Sequence, residues 1–287
     1  MPHYIIHERR MEMQKDDLMR LEVSDSYVRA IYDLAVEDFK VAEELRTKVL
    51  ETVFPEVYPI GSKRIVTDDM VGRVLGDVKM VYCVPVAGGI SYYLRIDMLE
   101  ILHITEEELY EAVRGHVENS LTFFDMFSFG SIEPPDGFHI PVIRKYQGLE
   151  LFSAALKEDI SKNTNEPFYV LSCLNLQTES NAEYNLYVMD DLYNGGVILF
   201  FPQILKAVAD AMGSDIVILP SSRKELLVLP KENDWLGFYA WMVEDVNQSD
   251  SITPDLYLSD LVFIYSRESG KFTFIRRKES EKSEENK

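Results

Sequence analysis

The sequence predicts an α+β fold of mostly antiparallel sheets with packed helices, arranged in two halves. Three observations predict it. Residues 195–230, GGVILFFPQILKAVADAMGSDIVILPSSRKELLVLP, place one amphipathic stripe among short apolar runs, which reads as strand, helix, strand, strand. Residues 79–117 show a hairpin pattern followed by a helix start. Between them, FSFGSIEPPDGFHIP at residues 127–141 mixes Gly, Pro and aromatic residues and reads as a linker or long loop. The expected organisation is an N-terminal half over residues 1–130, a C-terminal half over 136–278 and a disordered acidic tail over 279–287.

In the N-terminal half, residues 1–23 are charged and Met-rich and give only weak helical signals. Ser24 and Ser26 are candidate N-caps for a long helix from Tyr27 to Val53, whose apolar stripe runs Val28, Ile31, Ala35, Phe39, Ala42, Leu45, Val49 and Val53. Pro55 ends it. Lys79 to Val86 and Ser91 to Ile96 read as strands joined by Ala87-Gly88-Gly89. Thr105 and Glu108 form a capping-box pair that opens a helix with Leu109, Ala112, Val113, His116 and Val117 on its buried side.

In the C-terminal half, residues 149–162 read as a helix, and Phe168 to Leu174 and Tyr184 to Met189 as strands. Asn194-Gly195-Gly196 signals a turn, on the ground that Asn and Gly accept positive φ. Val197 to Phe201, apolar with β-branched and aromatic residues, reads as a buried strand. Pro202 suits the first position of a helix with Ile204, Leu205, Val208, Ala209 and Met212 on one stripe, and Gly213 suits its left-handed C-cap. Asp215 to Leu219 and Glu225 to Leu229 read as strands joined by a tight turn at Pro220-Ser221-Ser222. Trp235, Phe238, Tyr239, Met242, Val243 and Val246 keep helical spacing, and the aromatic residues of that helix read as core with one exposed ring. Leu258 to Tyr265 and Phe272 to Ile275 close the half as a hairpin around Ser269-Gly270.

Composition bounds the function. A hydrophobic content of 46% suits a folded chain, so the question is which surface works, not whether one forms. A net charge of −20 repels phosphate backbones, and no basic patch offsets it, so nucleic-acid binding is not expected. No apolar run approaches the ~20 residues of a membrane span, and the N-terminus lacks the apolar segment of a signal peptide. The cysteines, Cys83 and Cys173, each sit in an apolar strand-like run and read as reduced buried thiols, which with the missing signal points to the cytoplasm.

The stretch 195–230, followed by WMVEDVNQSDSITPDLYLSDLVFIYSRESGKF, resembles an uncharacterised bacterial family, domain-of-unknown-function family 5688. The likeness rests on a helix closing on Gly213-Ser214-Asp215 and a turn Leu219-Pro220-Ser221-Ser222. It continues with a helix ending in Val246-Asn247 and a strand entered through Leu258-Ser259-Asp260. These offsets agree over roughly residues 190–272, with a looser similarity before residue 130. The resemblance implies a fold pattern and no mechanism. Where the family commonly carries a His before the Glu of the turn motif, this chain has Lys224.

The candidate binding residues are Ser221, Ser222, Arg223 and Glu225, because hydroxyls beside an acid and a cation at a strand turn can hold a ligand or serve a hydrolase. A serine nucleophile needs a base held by a third group, and neither that nor a G-x-S-x-G elbow is visible, so no catalytic residue is assigned. The same serines suit a turn whose hydroxyls bond nearby backbone. Asp190, Asp191 and Asn194 lack the alternating ligands of a calcium loop. His3, His7, His103, His116 and His139 are scattered, so no metal is assigned. Gly88-Gly89 lacks the Lys-Ser/Thr of a phosphate loop, and no cofactor is expected. The reading is a non-catalytic acidic protein that binds an unknown protein or small ligand, with an acidic surface able to mimic nucleic acid as its sharper form. The alternative is a hydrolase-like enzyme using Ser221 or Ser222.

Overall fold

A computed structural model describes residues 39–61, 67–86, 90–126, 143–163, 166–174, 186–187, 193–249 and 252–277. The helix start at Ser24 and Ser26, the turn at Ala87-Gly88-Gly89, the linker 127–141, Asp190-Asp191, the tail 279–287 and His3, His7 and His139 lie outside them. So do residues 27–38 of the first helix and all of the expected strand Tyr184 to Met189 except Leu186 and Tyr187.

The fold is α+β. Helix α1 spans Phe39–Thr52 and is followed by strands β1 (Phe54–Pro59), β2 (Gly72–Leu75), β3 (Val78–Val86) and β4 (Ile90–Tyr93). Next come α2 (Ile96–Leu102), α3 (Glu106–Glu118), β5 (Leu121–Asp125), β6 (Ile143–Arg144), α4 (Leu149–Lys162), β7 (Tyr169–Cys173) and β8 (Leu186–Tyr187). Helix α5 (Pro202–Met212), β9 (Ile216–Leu219), β10 (Glu225–Pro230), α6 (Leu236–Gln248), β11 (Val262–Tyr265) and β12 (Phe272–Ile275) complete it. One sheet has the order β1-β3-β2 with β4 on β3, a second the order β12-β11-β9-β10-β7-β5, and β6 and β8 form a ribbon. By contacts the chain divides into a unit of Met1–Glu56, Ile65–Arg73 and Val81–Arg114 and a unit of Val57–Arg64, Val74–Met80 and Gly115–Lys287.

In the first unit the expected hairpin forms, with β3 and β4 antiparallel and Cys83 opposite Tyr93. The strand expected to reach Ile96 stops at Tyr93, and Ile96 instead opens α2. The short helix carries Asp97 in its first turn, buries Leu102 and ends on His103 in the left-handed region. The capping box is complete. Glu108 accepts the Thr105 N–H at 2.9 Å, and Thr105 Oγ1 accepts the Glu108 N–H at 3.2 Å.

The second unit is built on the six-stranded sheet, antiparallel at every pairing. Strand alternation sends Phe123, Leu171, Leu226, Ile218 and Phe263 to one face, where α4 and α5 pack. Phe152 of α4 meets Phe123 edge-on at 5.6 Å. Ile204, Leu205, Val208 and Ala209 of α5 are buried as the stripe predicts, and burying each large side chain contributes about 1.5–3 kcal/mol. Pro202 opens α5 and Gly213, at φ 75°, closes it. On the other face Val217, Leu219, Val262 and Ile264 pack against Ala240 and Val243 of α6.

Three expectations need correction. Val197 to Phe201 is not a strand. Gly195–Phe200 is a fully buried 3-10 helix. The two glycines ahead of the apolar run bond the carbonyls of residues 223 and 224, which turns the chain across the strand ends instead of along a sheet edge. Neither glycine has a positive φ. Close approach requires them: a Cβ on Gly195 would lie 2.5 Å from Lys224 O, and one on Gly196 2.7 Å from Leu258 Cδ2. Finally, more than one ring of this segment faces outward, since Trp235, the N-cap of α6, is 51% exposed and Phe238 47%. The sheet takes Tyr239, Met242 and Val243 of the predicted stripe together with Leu236 and Ala240, while Trp235, Phe238 and Val246 are exposed.

Candidate functional site

The connection from β9 to β10 runs Pro220 to Lys224 and holds three of the four predicted site residues, Ser221, Ser222 and Arg223; the fourth, Glu225, opens β10. Strand β10 begins on its other neighbour: Glu225 stands opposite Ser172 of β7 before Leu227 meets Leu219 of β9. Ser172 in turn stands opposite Thr122 of β5. Paired residues share a face, so Thr122, Ser172 and Glu225 form a polar row beside the apolar row Phe124, Val170 and Leu227. Thr122 and Ser172 are fully buried.

Ser221 Oγ donates to Glu225 Oε1 at 3.1 Å. Burial pushes the Glu225 carboxyl above the usual carboxylate range, while the Ser221 hydrogen bond and the Lys224 charge pull against it. Ser222, 6% exposed, accepts the Lys224 N–H on its Oγ at 3.1 Å, and its own N–H donates to Glu225 O at 3.2 Å. Ser172 Oγ donates to Lys224 O at 2.5 Å. Thr122 Oγ1 has no hydrogen-bond partner among the described residues. A buried hydroxyl without a partner costs roughly 1–3 kcal/mol.

Arg223 points elsewhere. Its Nε donates to Val57 O at 2.7 Å, its Nη1 to Asp255 O at 3.2 Å, and its guanidinium lies 3.9 Å from the Tyr58 ring centroid. Its N–H donates to Leu256 O at 2.8 Å, and its carbonyl accepts the Gly196 N–H at 3.0 Å. Lys224 O accepts the Gly195 N–H at 2.8 Å. The turn is thus tied to the 3-10 helix, to β1 and to the loop before β11.

Chemically, the pair Ser221–Glu225 offers a hydroxyl beside a carboxyl biased toward its neutral form. No histidine bonds either serine among the described residues. Lys224 donates its backbone N–H to Ser222 Oγ and brings no imidazole to the turn. Among those residues no three His, Cys, Asp or Glu side chains gather in a way that could hold a metal. Among them, too, no helix is long and apolar enough to cross a membrane. Cys83 and Cys173 are buried and form no disulfide, and burial pushes the Cys173 thiol up to about 12.

Sequence reasoning missed Thr122 and Ser172. Their signal was a single hydroxyl inside an apolar run, LTFFD and YVLSC, where a buried strand would otherwise carry aliphatics. The motifs behind the resemblance become fastenings. Asp215 Oδ1 accepts the Arg267 N–H at 2.9 Å, and Arg267 Nη1 donates to Gly213 O at 3.0 Å. Asn247 Nδ2 donates to Ser259 O at 2.9 Å and to Asp260 Oδ1 at 3.0 Å, holding the end of α6 to the start of β11. Fully buried Ser259 donates to Asp77, whose second oxygen accepts Arg276 Nη2 at 2.8 Å.

Residues 142–267 match the model of a family of unknown function, DUF5688. The match takes in the turn, the polar residues Ser172 and Glu225, and every motif just described; Thr122 and the looser similarity before residue 130 fall outside it. No curated protein and no solved structure matches the chain.

Proposed function

We propose that the chain is a non-catalytic binding or regulatory protein that engages another protein or a small ligand. In this reading the turn Pro220–Glu225 fastens the second unit together and performs no reaction. One observation carries the reading: the polar groups of Ser222 and Arg223 are directed at backbone, to Lys224 N–H, Val57 O and Asp255 O. A reactive turn leaves such groups facing a substrate. The net charge of −20 disfavours nucleic acid as the ligand, and a cytoplasmic bacterial setting belongs to the same proposal.

The bond from Ser221 to Glu225 favours a second reading, a hydrolase-like enzyme using Ser221 or Ser222, since it places a partly desolvated carboxyl on a hydroxyl. A fluorophosphonate serine probe decides between them. The expected result is no labelling of the folded chain. Labelling that disappears in Ser221→Ala or Ser222→Ala establishes the hydrolase reading and overturns the first.

A further inference from the structure

Helix α6, with Trp235 directly before it, has two apolar faces, and among the described residues one of them packs on the sheet. Ala240 and Val243, with Leu236 and Tyr239, pack on the sheet. Away from it, Trp235 and Phe238 stand about half exposed with ring centroids 5.8 Å apart, and Trp241 stacks on Phe238 at 5.7 Å. Rings in mutual contact on one side of a helix make a continuous apolar surface, unlike single exposed apolar residues, which need no explanation.

The segment that carries these rings, residues 232–248, holds Glu232, Asp234, Glu244 and Asp245 and no Lys, Arg or His. Asp245 is four residues beyond Trp241 and seven beyond Phe238, which puts it on their stripe, and Asp234 directly precedes Trp235. Asp234, Asp245 and Glu232 are exposed, and among the described residues none of the three makes an ion pair. The buried acid of the same helix differs: Glu244 lies 3.9 Å from Arg277 Nη1. Elsewhere in the chain guanidinium groups do lie on rings: Arg73 is 3.5 Å from the Tyr110 ring centroid and Arg223 3.9 Å from that of Tyr58. Among the described residues no cation lies over Trp235, Phe238 or Trp241.

We propose that the outer face of α6, built from Trp235, Phe238 and Trp241 between Asp234 and Asp245, is a docking surface for an arginine-bearing, partly apolar segment of a partner protein. The electron-rich faces of the rings attract guanidinium groups, the two aspartates supply its counter-charge, and Trp and Phe surface accepts apolar side chains of the same segment. An acidic or neutral partner would leave both carboxylates facing apolar groups at the rim, which costs affinity. The proposal names the partner within the binding reading and rests on it.

The chain contains two tryptophans, Trp235 and Trp241, so intrinsic emission reports this face directly. The full chain is titrated with a synthetic peptide alternating arginine and leucine, and with versions carrying glutamate or glutamine in place of arginine. The expected result is a saturable change in tryptophan emission with the arginine peptide alone. Phe238→Ala should weaken it by about tenfold or more, as loss of a central aromatic contact does. Asp234→Asn with Asp245→Asn should weaken it by about tenfold, while Glu150→Gln with Glu268→Gln, equal in charge but elsewhere, should change it by less than about twofold. No saturable change, equal binding of the glutamate peptide, or equal weakening by both double variants overturns the proposal. So does a concentration-dependent dimer in sedimentation that Phe238→Ala abolishes, which assigns the face to a second copy. Serine-probe labelling reads the binding hypothesis separately, so either idea can fail without masking the other.

Discussion

The Gly195 amide lies 2.8 Å from Lys224 O, so close that a Cβ at Gly195 would stand 2.5 Å from that same oxygen. The contact seats the buried 3-10 helix on the turn that holds the candidate site. Two further backbone atoms, Glu225 Cα at 2.8 Å and Leu171 O at 2.9 Å, close the same space. Backbone cannot step aside as a flexible side chain can. Gly195→Ala should therefore destabilise the chain by about 3 kcal/mol, the upper range for overpacking. Gly213→Ala meets open space at φ 75° and should cost only about 1 kcal/mol, the penalty of a left-handed alanine. Urea denaturation of both variants checks the order, and equal costs would contradict the packing account.

Arg223→Lys should behave as a severe change. Lysine keeps the charge but cannot reach Val57 O and Asp255 O together while stacking on Tyr58. Losing the bond to one of these carbonyls should cost about 2 kcal/mol. Thermal melting reads it as a clear fall in Tm, and an unchanged Tm would remove the turn's fastening role.

In the first unit, Arg73 donates to Glu106 through Nε at 2.7 Å and Nη2 at 3.0 Å, and the buried Tyr82 hydroxyl donates to the same carboxylate. Partial burial pushes the Glu106 carboxyl up, but the hydrogen bonds from Arg73 and Tyr82 outweigh it and hold it below its ordinary value. Its contribution to stability is thus present above the unfolded value of 4.5 and is lost as pH falls toward the folded value. Tyr82 shifts upward, through burial first and its bond to Glu106 second. The folded state favours the neutral phenol, so stability falls as pH rises above the unfolded value of 10.0. Denaturation midpoints across pH should show Glu106→Gln flattening the acid limb and Tyr82→Phe the alkaline limb. Limbs identical to those of the parent chain would count against both assignments.

Both thiols should resist a disulfide reagent in the native chain and react once denaturant is added, because Cys83 and Cys173 are buried and burial keeps Cys173 protonated. Thiol release followed by absorbance measures it. Rapid native-state reaction would show that the β7 end opens readily.

Legibility varied with how local the deciding interaction is. The α5 stripe, its Pro202 start, its Gly213 stop and the Thr105–Glu108 capping box are each decided within a few residues, and each stands where the pattern places it. Strand β1 escaped notice because FPEVYP carries two prolines, which argue against a strand until its neighbours are known. At the candidate site Ser221, Ser222, Arg223 and Glu225 were visible as a polar turn, but Thr122 and Ser172 come from strands far away in the chain. Only pairing of β5, β7 and β10 puts them in one row.

From the sequence alone came the α+β class, the start and stop of α5, the capping box of α3 and the net charge of −20, since these depend on short-range periodicity, caps and composition. Tertiary structure decided that Val197 to Phe200 lies in a 3-10 helix, that Trp235 and Phe238 face solvent, and that Arg223 ties the turn to Val57. An apolar run or an aromatic stripe records only that side chains are hydrophobic. Which surface each one meets depends on neighbours that arrive from distant parts of the chain, and those neighbours exist only once the sheet has formed.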